Sequence, residues 1–316
     1  MSKKKLLYVA PHISTGGMPQ YLLEQIKTFK EKFEVFVIEY SNVSDDFVVQ
    51  KNQIRNLIPF NNFFTLGENK FELINILHKI KPDIVHFQEP PDWFIDSKLI
   101  KNLFSIPDRP YYIVTPHSKN ALPDQFQFVP DRYVLVSKWS HEIFSKEKNV
   151  SCDIWEYPIK DFTPKKDIYK KELNFSDKYF HVLNVGLFTP GKNQGELFKI
   201  AENLQNKPIK FHFVGNQAGN FSQYWEPLMK TKPDNCIVWG ERNDVHKFLQ
   251  ASDLFYFSSN LELFPIVIRE SLSYKLPILM KKLETYSNTY DNNDLITFIG
   301  NDIKENSNIL LKHLGL

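Results

Sequence analysis

Asp253-Leu254-Phe255-Tyr256-Phe257-Ser258-Ser259-Asn260-Leu261-Glu262-Leu263-Phe264-Pro265-Ile266-Val267-Ile268-Arg269-Glu270 holds a strand, a polar loop and the start of a helix in one run. The apolar stretch ending at Phe257 is too short for a helix and is bounded by polar residues, so it reads as a buried strand. Pro265 marks a helix beginning, because its missing N–H falls where the first turn has no partner for one. The amides around Leu263, Phe264 and Ile266 are then orphan donors at a positive helix end, which suits a phosphate. Glu262 in the loop and Glu270 about one turn into the helix can accept hydrogen bonds from hydroxyls on either side of that phosphate.

This strand–loop–helix unit repeats along the chain. In the first half, Lys5 to Ala10, Glu34 to Glu39, Ile84 to Phe87, Tyr111 to Thr115 and Tyr133 to Val136 read as strands. Helical patterns separate them at Pro19 to Lys30, Lys70 to Lys79, Phe94 to Phe104 and Trp139 to Lys146. Short continuous apolar runs are the mark of parallel strands buried on both faces. Pro158 to Tyr179 is rich in Pro, Lys and Asp and reads as a linker. The alternation restarts at His181 to Val185 and runs to Pro277 to Met280, and Ile303 to Leu314 reads as one last amphipathic helix. The expectation is α/β, with two Rossmann-like doubly wound domains: residues 1–158, residues 159–300, and a C-terminal helix at 301–316 packing back on the first domain.

In open α/β sheets ligands gather beyond the carboxyl ends of the strands. Here those loops carry Pro11 to Gly17, Gln88-Glu89, Pro116-His117-Ser118, Ser137-Lys138, Gly186 to Asn193, Gly215-Asn216, Gly240-Glu241-Arg242 and the Glu262 loop. Nearly every residue able to do chemistry falls in one of them.

Composition removes several classes. Formal net charge is +2, and residues 1–158 hold 19 basic and 19 acidic side chains, so the face or stripe of a nucleic-acid binder is missing. Cys152 and Cys236 have neither metal nor redox spacing and suit a reducing, cytoplasmic setting. No apolar run approaches the roughly 18–20 residues of a membrane span. Lys3-Lys4-Lys5 reads as a solvated terminus. No Gly-x-Gly-x-x-Gly follows the first strand, which argues against a nicotinamide enzyme.

The Glu262…Glu270 pair, the preceding Ser259, the loop Gly186-Leu187-Phe188-Thr189-Pro190-Gly191-Lys192-Asn193 and the Gly16-Gly17 loop together resemble the retaining glycosyltransferases of family 4, which have the GT-B fold of two Rossmann-like domains facing across a cleft. The resemblance implies transfer of a sugar from a nucleoside-diphosphate sugar, UDP-linked first and GDP-linked second, to a glycan, a lipid-linked sugar or another hydroxyl acceptor. By matching position, Glu270 would hold the ribose and Glu262 the transferred sugar. Leu263 and Phe264 would line the diphosphate with their amides, Lys192 would neutralise it, and Gly186 would open the loop that carries Lys192. Gly16 and Gly17 would admit the diphosphate to backbone, and His117 would stand beside the reacting sugar. Arg242 and Lys138 are candidates for a second cation. The nucleotide-sugar is a substrate, no cofactor or metal is expected, and peripheral membrane contact is implied by the family.

Leu187 stands where the family often has Arg, and Leu263 where it often has Gly. Leu187 and the short C-terminal region also fit a protein that keeps the fold and binds nucleotide-sugar or glycan without turnover. His86, inside a strand, reads as a satisfied core histidine. Trp93 and Trp139 read as packing residues, although an indole face can also stack on a sugar, and Trp93 lies beside Glu89-Pro90-Pro91.

Overall fold

The computed structural model describes residues 3–41, 48–146 and 150–316. Two compact units meet between Tyr157 and Pro158.

The first unit is a parallel sheet of β1 (Lys4–Ala10), β2 (Phe33–Glu39), β3 (Phe63–Thr65), β4 (Ile84–Phe87), β5 (Tyr111–Val114), β6 (Arg132–Leu135) and β7 (Ser151–Ile154). Helices α1 (Gly17–Phe29), α2 (Val49–Arg55), α3 (Glu72–Ile80), α4 (Ser97–Phe104) and α5 (Lys138–Phe144) connect the strands. The strand order is β3-β2-β1-β4-β5-β6-β7, so the direction of winding reverses between β1 and β4. Successive strand residues point to opposite faces. Leu7 and Val9 therefore enter one core with Phe36, Val85 and Phe87, while Leu6 and Tyr8 enter another with Val35 and Val37.

The second unit repeats the plan with β8 (Phe180–Val185), β9 (Ile209–Val214), β10 (Cys236–Val238), β11 (Leu254–Phe257), β12 (Ile278–Lys281) and β13 (Ile296–Ile299), in the order β10-β9-β8-β11-β12-β13. Its helices are α6 (Lys166–Glu172), α7 (Gln194–Asn203), α8 (Ser222–Lys230), α9 (Val245–Ala251), α10 (Ile266–Ser273), α11 (Ser287–Tyr290) and α12 (Ile303–Leu314). Val182, Phe211, Leu254 and Tyr256 face one core, and Leu183, Val214, Phe255 and Phe257 face the other. The reversal here lies between β8 and β11.

The expected pair of doubly wound α/β domains is present. Several local expectations need correction. The stretch read as a linker, Pro158 to Tyr179, contains α6, which packs against α9. Behind α6, the Phe175 ring stacks on His181 at 4.3 Å and His212 at 4.1 Å. Its charged surface hid it: α6 has no buried residue, and ion pairs Lys166–Asp253 and Lys247–Glu172, each 2.7 Å, tie its ends down. Strands β3, β7 and β13 went unread because they are edge strands of three or four residues with mostly half-buried or exposed side chains. Pro265 is the residue capping α10 and not a member of its first turn. The terminal helix α12, set apart from sequence as 301–316, packs within the second unit on α7, with Leu310 and Leu314 in its core. Its start is fixed by Asp302, whose carboxylate accepts from Glu305 N at 2.8 Å.

Candidate functional site

The second unit builds its site at the reversal between β8 and β11. The chain leaves β8 at Gly186, whose N–H donates to Val214 O at 2.9 Å. Gly215, at the end of β9, presses on the same point: a Cβ on it would lie 1.9 Å from Gly186 O. Only glycine permits that contact, and it sets the path of the loop that follows. The loop then turns back through Thr189, whose carbonyl accepts from Lys192 N and Asn193 N, each at 3.1 Å.

This path delivers the Lys192 ammonium to the loop after β11, with Nζ 2.5 Å from Glu262 Oε1. Ser259 Oγ lies 2.6 Å from the same carboxylate oxygen. Asn260 N donates to Gly191 O at 2.8 Å, which stitches the two loops together across the reversal point, and Thr285 Oγ1, from the segment after β12, donates to Glu262 O at 2.8 Å. The Glu262 side chain is 10% exposed and that of Lys192 32%, which leaves the cation within reach of an incoming anion. The family resemblance puts these two residues at one site, and in the structure their side chains touch.

A buried polar layer beneath the loops was not foreseen. Glu196, on the first turn of α7, pairs with Lys281 Nζ at 2.6 Å, and both side chains are below 10% exposed. The Tyr256 hydroxyl donates to Glu196 Oε1 at 2.8 Å and Asn193 Nδ2 to Oε2 at 3.0 Å. Lys281 Nζ also donates to Asn260 Oδ1 at 2.8 Å, which links this layer to the Glu262 loop. Its sequence signal is faint: Glu196 sits three residues after Asn193, and Lys281 ends an apolar strand.

At the mouth of α10, Leu263 is buried, Pro265 caps the helix, and the Arg269 guanidinium lies 5.2 Å from the Phe264 ring centroid. Glu270 occupies the second turn, partly buried, and after burial its charge is the next cause raising the Tyr274 hydroxyl pKa. Arg242 grips Asp244 through two 2.8 Å bonds and lies 5.5 Å from the Phe248 ring, so its charge is committed within its own loop. The carbonyl of Leu187 accepts from Gln194 Nε2 at 3.0 Å, which keeps the loop closed without an Arg there.

In the first unit the reversal lies between β1 and β4. Gly16 caps α1 and Gly17 opens it, with nothing within 4 Å of where a Cβ on Gly16 would point. His117, after β5, donates its N–H to Glu89 Oε2 at 3.1 Å, and its Nε2 meets Gln88 Oε1 at 3.2 Å. The Tyr21 ring stands edge-on to it at 4.9 Å. Burial lowers the His117 imidazole pKa to about 3, so the ring is neutral at physiological pH. Burial raises the Glu89 carboxyl to about 8, with the His117 N–H pulling the other way. Glu89 was legible only as a polar residue at a strand end; nothing in its spacing marks it as a protonated acid. His86 bonds Thr115 Oγ1 at 2.7 Å and is held neutral by burial, as expected of a satisfied core histidine. Lys138 is exposed at the start of α5, after a capping box built by Ser137 and Ser140, and Trp139 is half-buried beside it. Trp93 is 47% exposed.

Among the described residues no cluster of three or more His, Cys, Asp or Glu is placed to hold a metal ion, and no helix is long and apolar enough to cross a membrane.

Comparison with known proteins places this geometry. Residues 165–312 match the family Glycosyl transferases group 1. The alpha-galactosylglucosyldiacylglycerol synthase of Streptococcus pneumoniae (strain ATCC BAA-255 / R6) is 27% identical over 142 residues, which are 43% of this chain and 37% of that relative's length. Anabaena HepE, crystallised with UDP-glucose, superposes with a TM-score of 0.76 at 15% identity, covering 98% of this chain and 89% of that one. A glycosyltransferase from Rickettsia africae ESF-5 superposes with a TM-score of 0.75 at 17% identity, covering 100% of this chain and 89% of that one. Both likenesses are of fold, and the fold is GT-B, with two Rossmann-like parallel-sheet domains. Lys192, Glu262 and Glu270 all lie within the stretch, residues 165–312, that matches the Glycosyl transferases group 1 family.

Proposed function

We propose that this chain is a retaining, metal-independent glycosyltransferase that takes a sugar from a nucleoside-diphosphate sugar and places it on a hydroxyl of a glycan or lipid-linked acceptor. The observation that carries the reading is the Lys192–Glu262 pair, 2.5 Å apart, spanning the strand-order reversal beside the mouth of α10. A diphosphate entering there meets the amides at Leu263 and Phe264, the positive end of a helix and an ammonium. It carries more charge than Glu262 and competes with it for Lys192. The carboxylate thus freed can accept from a sugar hydroxyl.

The barrier to the reaction is charge growing on the departing diphosphate. Donors fixed in advance lower it without reorganising. In the step, the bond from the anomeric carbon to the phosphate oxygen breaks. The acceptor oxygen bonds to that carbon on the same face, and its proton passes to the departing phosphate oxygen. No carboxylate nucleophile takes part, so Glu262 and Glu270 serve as binding groups for sugar and ribose. His117, neutral and with its Nε2–H given to Gln88 Oε1, keeps Nδ1 as an acceptor and carries no charge into the site. Gly16, with Gly17 after it, offers unobstructed backbone to an anion. UDP-linked donors are the first choice and GDP-linked donors the second. The lipid acceptor named for the pneumococcal relative makes a lipid-linked sugar one of the acceptors to try, with peripheral contact at a membrane.

A thermal-shift and calorimetry panel of UDP, GDP and their sugars tests the reading. At least one diphosphate should bind in the micromolar range, and Glu270→Ala should weaken it. No binding by any of them removes the proposal. Binding without nucleotide release over hours, with every acceptor tried, would leave a nucleotide-sugar binder in place of an enzyme.

A further inference from the structure

The first unit contains a cavity of about 350 Å³ bordered by the segments after β4 and β5 and by α4. Trp93 and Phe126 form one side, their rings edge to face with centroids 5.9 Å apart. Ile100, 5% exposed, belongs to the apolar part of the lining, and Asp92, Ser97 and Gln127 supply polar groups. The Asp92 carboxylate accepts from Gln127 N at 2.7 Å and from Phe128 N at 3.2 Å, which clamps one segment to the other and makes the pocket preformed. Its volume lies at the small end of ligand pockets, which run from about 300 to 1,000 Å³.

We propose that this cavity is a carbohydrate subsite in which a pyranose ring lies against the indole of Trp93 while its hydroxyls bond the polar rim. Three observations favour a sugar. A tryptophan kept for packing would be covered, yet Trp93 leaves 47% of its surface in water beside a cavity. The C–H face of a pyranose is apolar and flat, a match for an aromatic face, whereas its edge is a ring of hydroxyls. The lining has the same division: two aromatic rings and two isoleucines, then a carboxylate, a hydroxyl and two amides. An acyl chain would set only apolar atoms against the polar rim, whereas the hydroxyls of a sugar can hydrogen-bond to it. The cavity also lies beyond the carboxyl ends of β4 and β5, the edge at which this sheet class gathers ligands. As the acceptor's place, this inference rests on the transferase reading above; as a sugar site, it can be judged without it.

The test is calorimetric and uses the whole chain. Maltose, lactose, cellobiose, methyl glucoside and octyl glucoside are titrated into the protein and into Trp93→Ala, Trp93→Phe, Ser97→Ala and Gln127→Ala, with melting temperature as the folding control. UDP and GDP are titrated in parallel. The expected result is millimolar binding of at least one disaccharide, weakened at least about tenfold by Trp93→Ala, less by Trp93→Phe, and severalfold by each polar variant. Nucleotide affinity stays the same throughout. The proposal is overturned if Trp93→Ala binds the disaccharide as tightly as the parent. It is overturned equally if no saccharide binds the parent, or if only octyl glucoside binds, which would make the cavity a lipid site. Absence of nucleotide binding would instead defeat the donor reading and leave the sugar result to stand alone.

Discussion

Gly215→Ala and Gly186→Ala form a matched pair that isolates one contact. Both glycines have nearly the same φ, +155° and +157°, a region that side-chain-bearing residues rarely enter. The backbone penalty, about 1–2 kcal/mol, is therefore common to both. The surroundings differ. At Gly186 the new methyl would meet Lys192 Cδ at 3.5 Å, an ordinary contact with a flexible side chain. At Gly215 it would stand 1.9 Å from Gly186 O and 2.5 Å from Gly186 C, both backbone, so the ends of β8 and β9 must part by about 1 Å. Overpacking of this kind adds about 1–3 kcal/mol. The sum is about 1–2 kcal/mol for Gly186→Ala and about 2–5 kcal/mol for Gly215→Ala. At roughly 2–4 °C per kcal/mol for a domain of this size, melting should fall by about 2–8 °C in the first and about 4–20 °C in the second. Scanning calorimetry reads both values. Hydrogen exchange at the amides of residues 186–193 should rise in the Gly215 variant, because Gly186 carries the start of that loop. Two variants melting within a degree of each other would refute the close approach of the strand ends.

Three further outcomes follow from the same geometry. Lys192→Ala should lower nucleotide release about 10²–10³-fold with every donor alike, since the diphosphate is common to all; a variant turning over at the parent rate would reject the role. Lys281→Ala should cost about 3–5 kcal/mol in denaturant unfolding, because Glu196 is left buried without its cation, and Lys281→Met with Glu196→Gln should recover part of it. Three buried groups make the stability of the first unit depend on pH. Glu89 takes up its proton at about 8 when folded against an ordinary 4.5, so the folded state holds the extra proton and stability falls as pH rises through that window. His86 and His117, lowered to about 3 from an ordinary 6.5, act in the opposite sense and add stability as pH rises to 6.5. Stability of the first unit should thus peak near pH 6.5. Its decline towards pH 8, at most about 1.4 kcal/mol per pH unit, should vanish in Glu89→Gln, and a decline unchanged in that variant would count against a buried protonated carboxyl.

The elements that could be read from sequence share one property: their signal is local. Strand β11 and helix α12 have the bounds expected of them, because an unbroken apolar run and an amphipathic period announce themselves within a dozen residues. Helix α2 gave no such signal. Its buried residues are Ile54 and Lys51, and Lys51 is inside only because Glu39 pairs with it at 2.9 Å from another element. Edge strands β3, β7 and β13 lack the second covered face that makes a parallel strand continuously apolar.

The candidate site divides the same way. The residue types at strand ends were plain from the chain: Gly186, Lys192, Glu262, Gly16, Gly17 and His117 all fall in loops or at helix starts where the alternation puts them, with Glu270 in the second turn of α10. Local patterns in the chain suffice for this supply of chemistry at one edge of each sheet. Which residues meet was decided by tertiary structure alone. Lys192 and Glu262 are 70 positions apart and touch because β8 and β11 lie side by side, an adjacency set by strand order and not by any local pattern. The strand order β8-β11-β12 likewise brings Lys281, at the end of β12, onto Glu196 of α7, and the neighbouring pair β8 and β9 forces Gly215 onto Gly186 O. Local periodicity fixes which face of an element is apolar; only the packed sheet fixes which loop stands next to which.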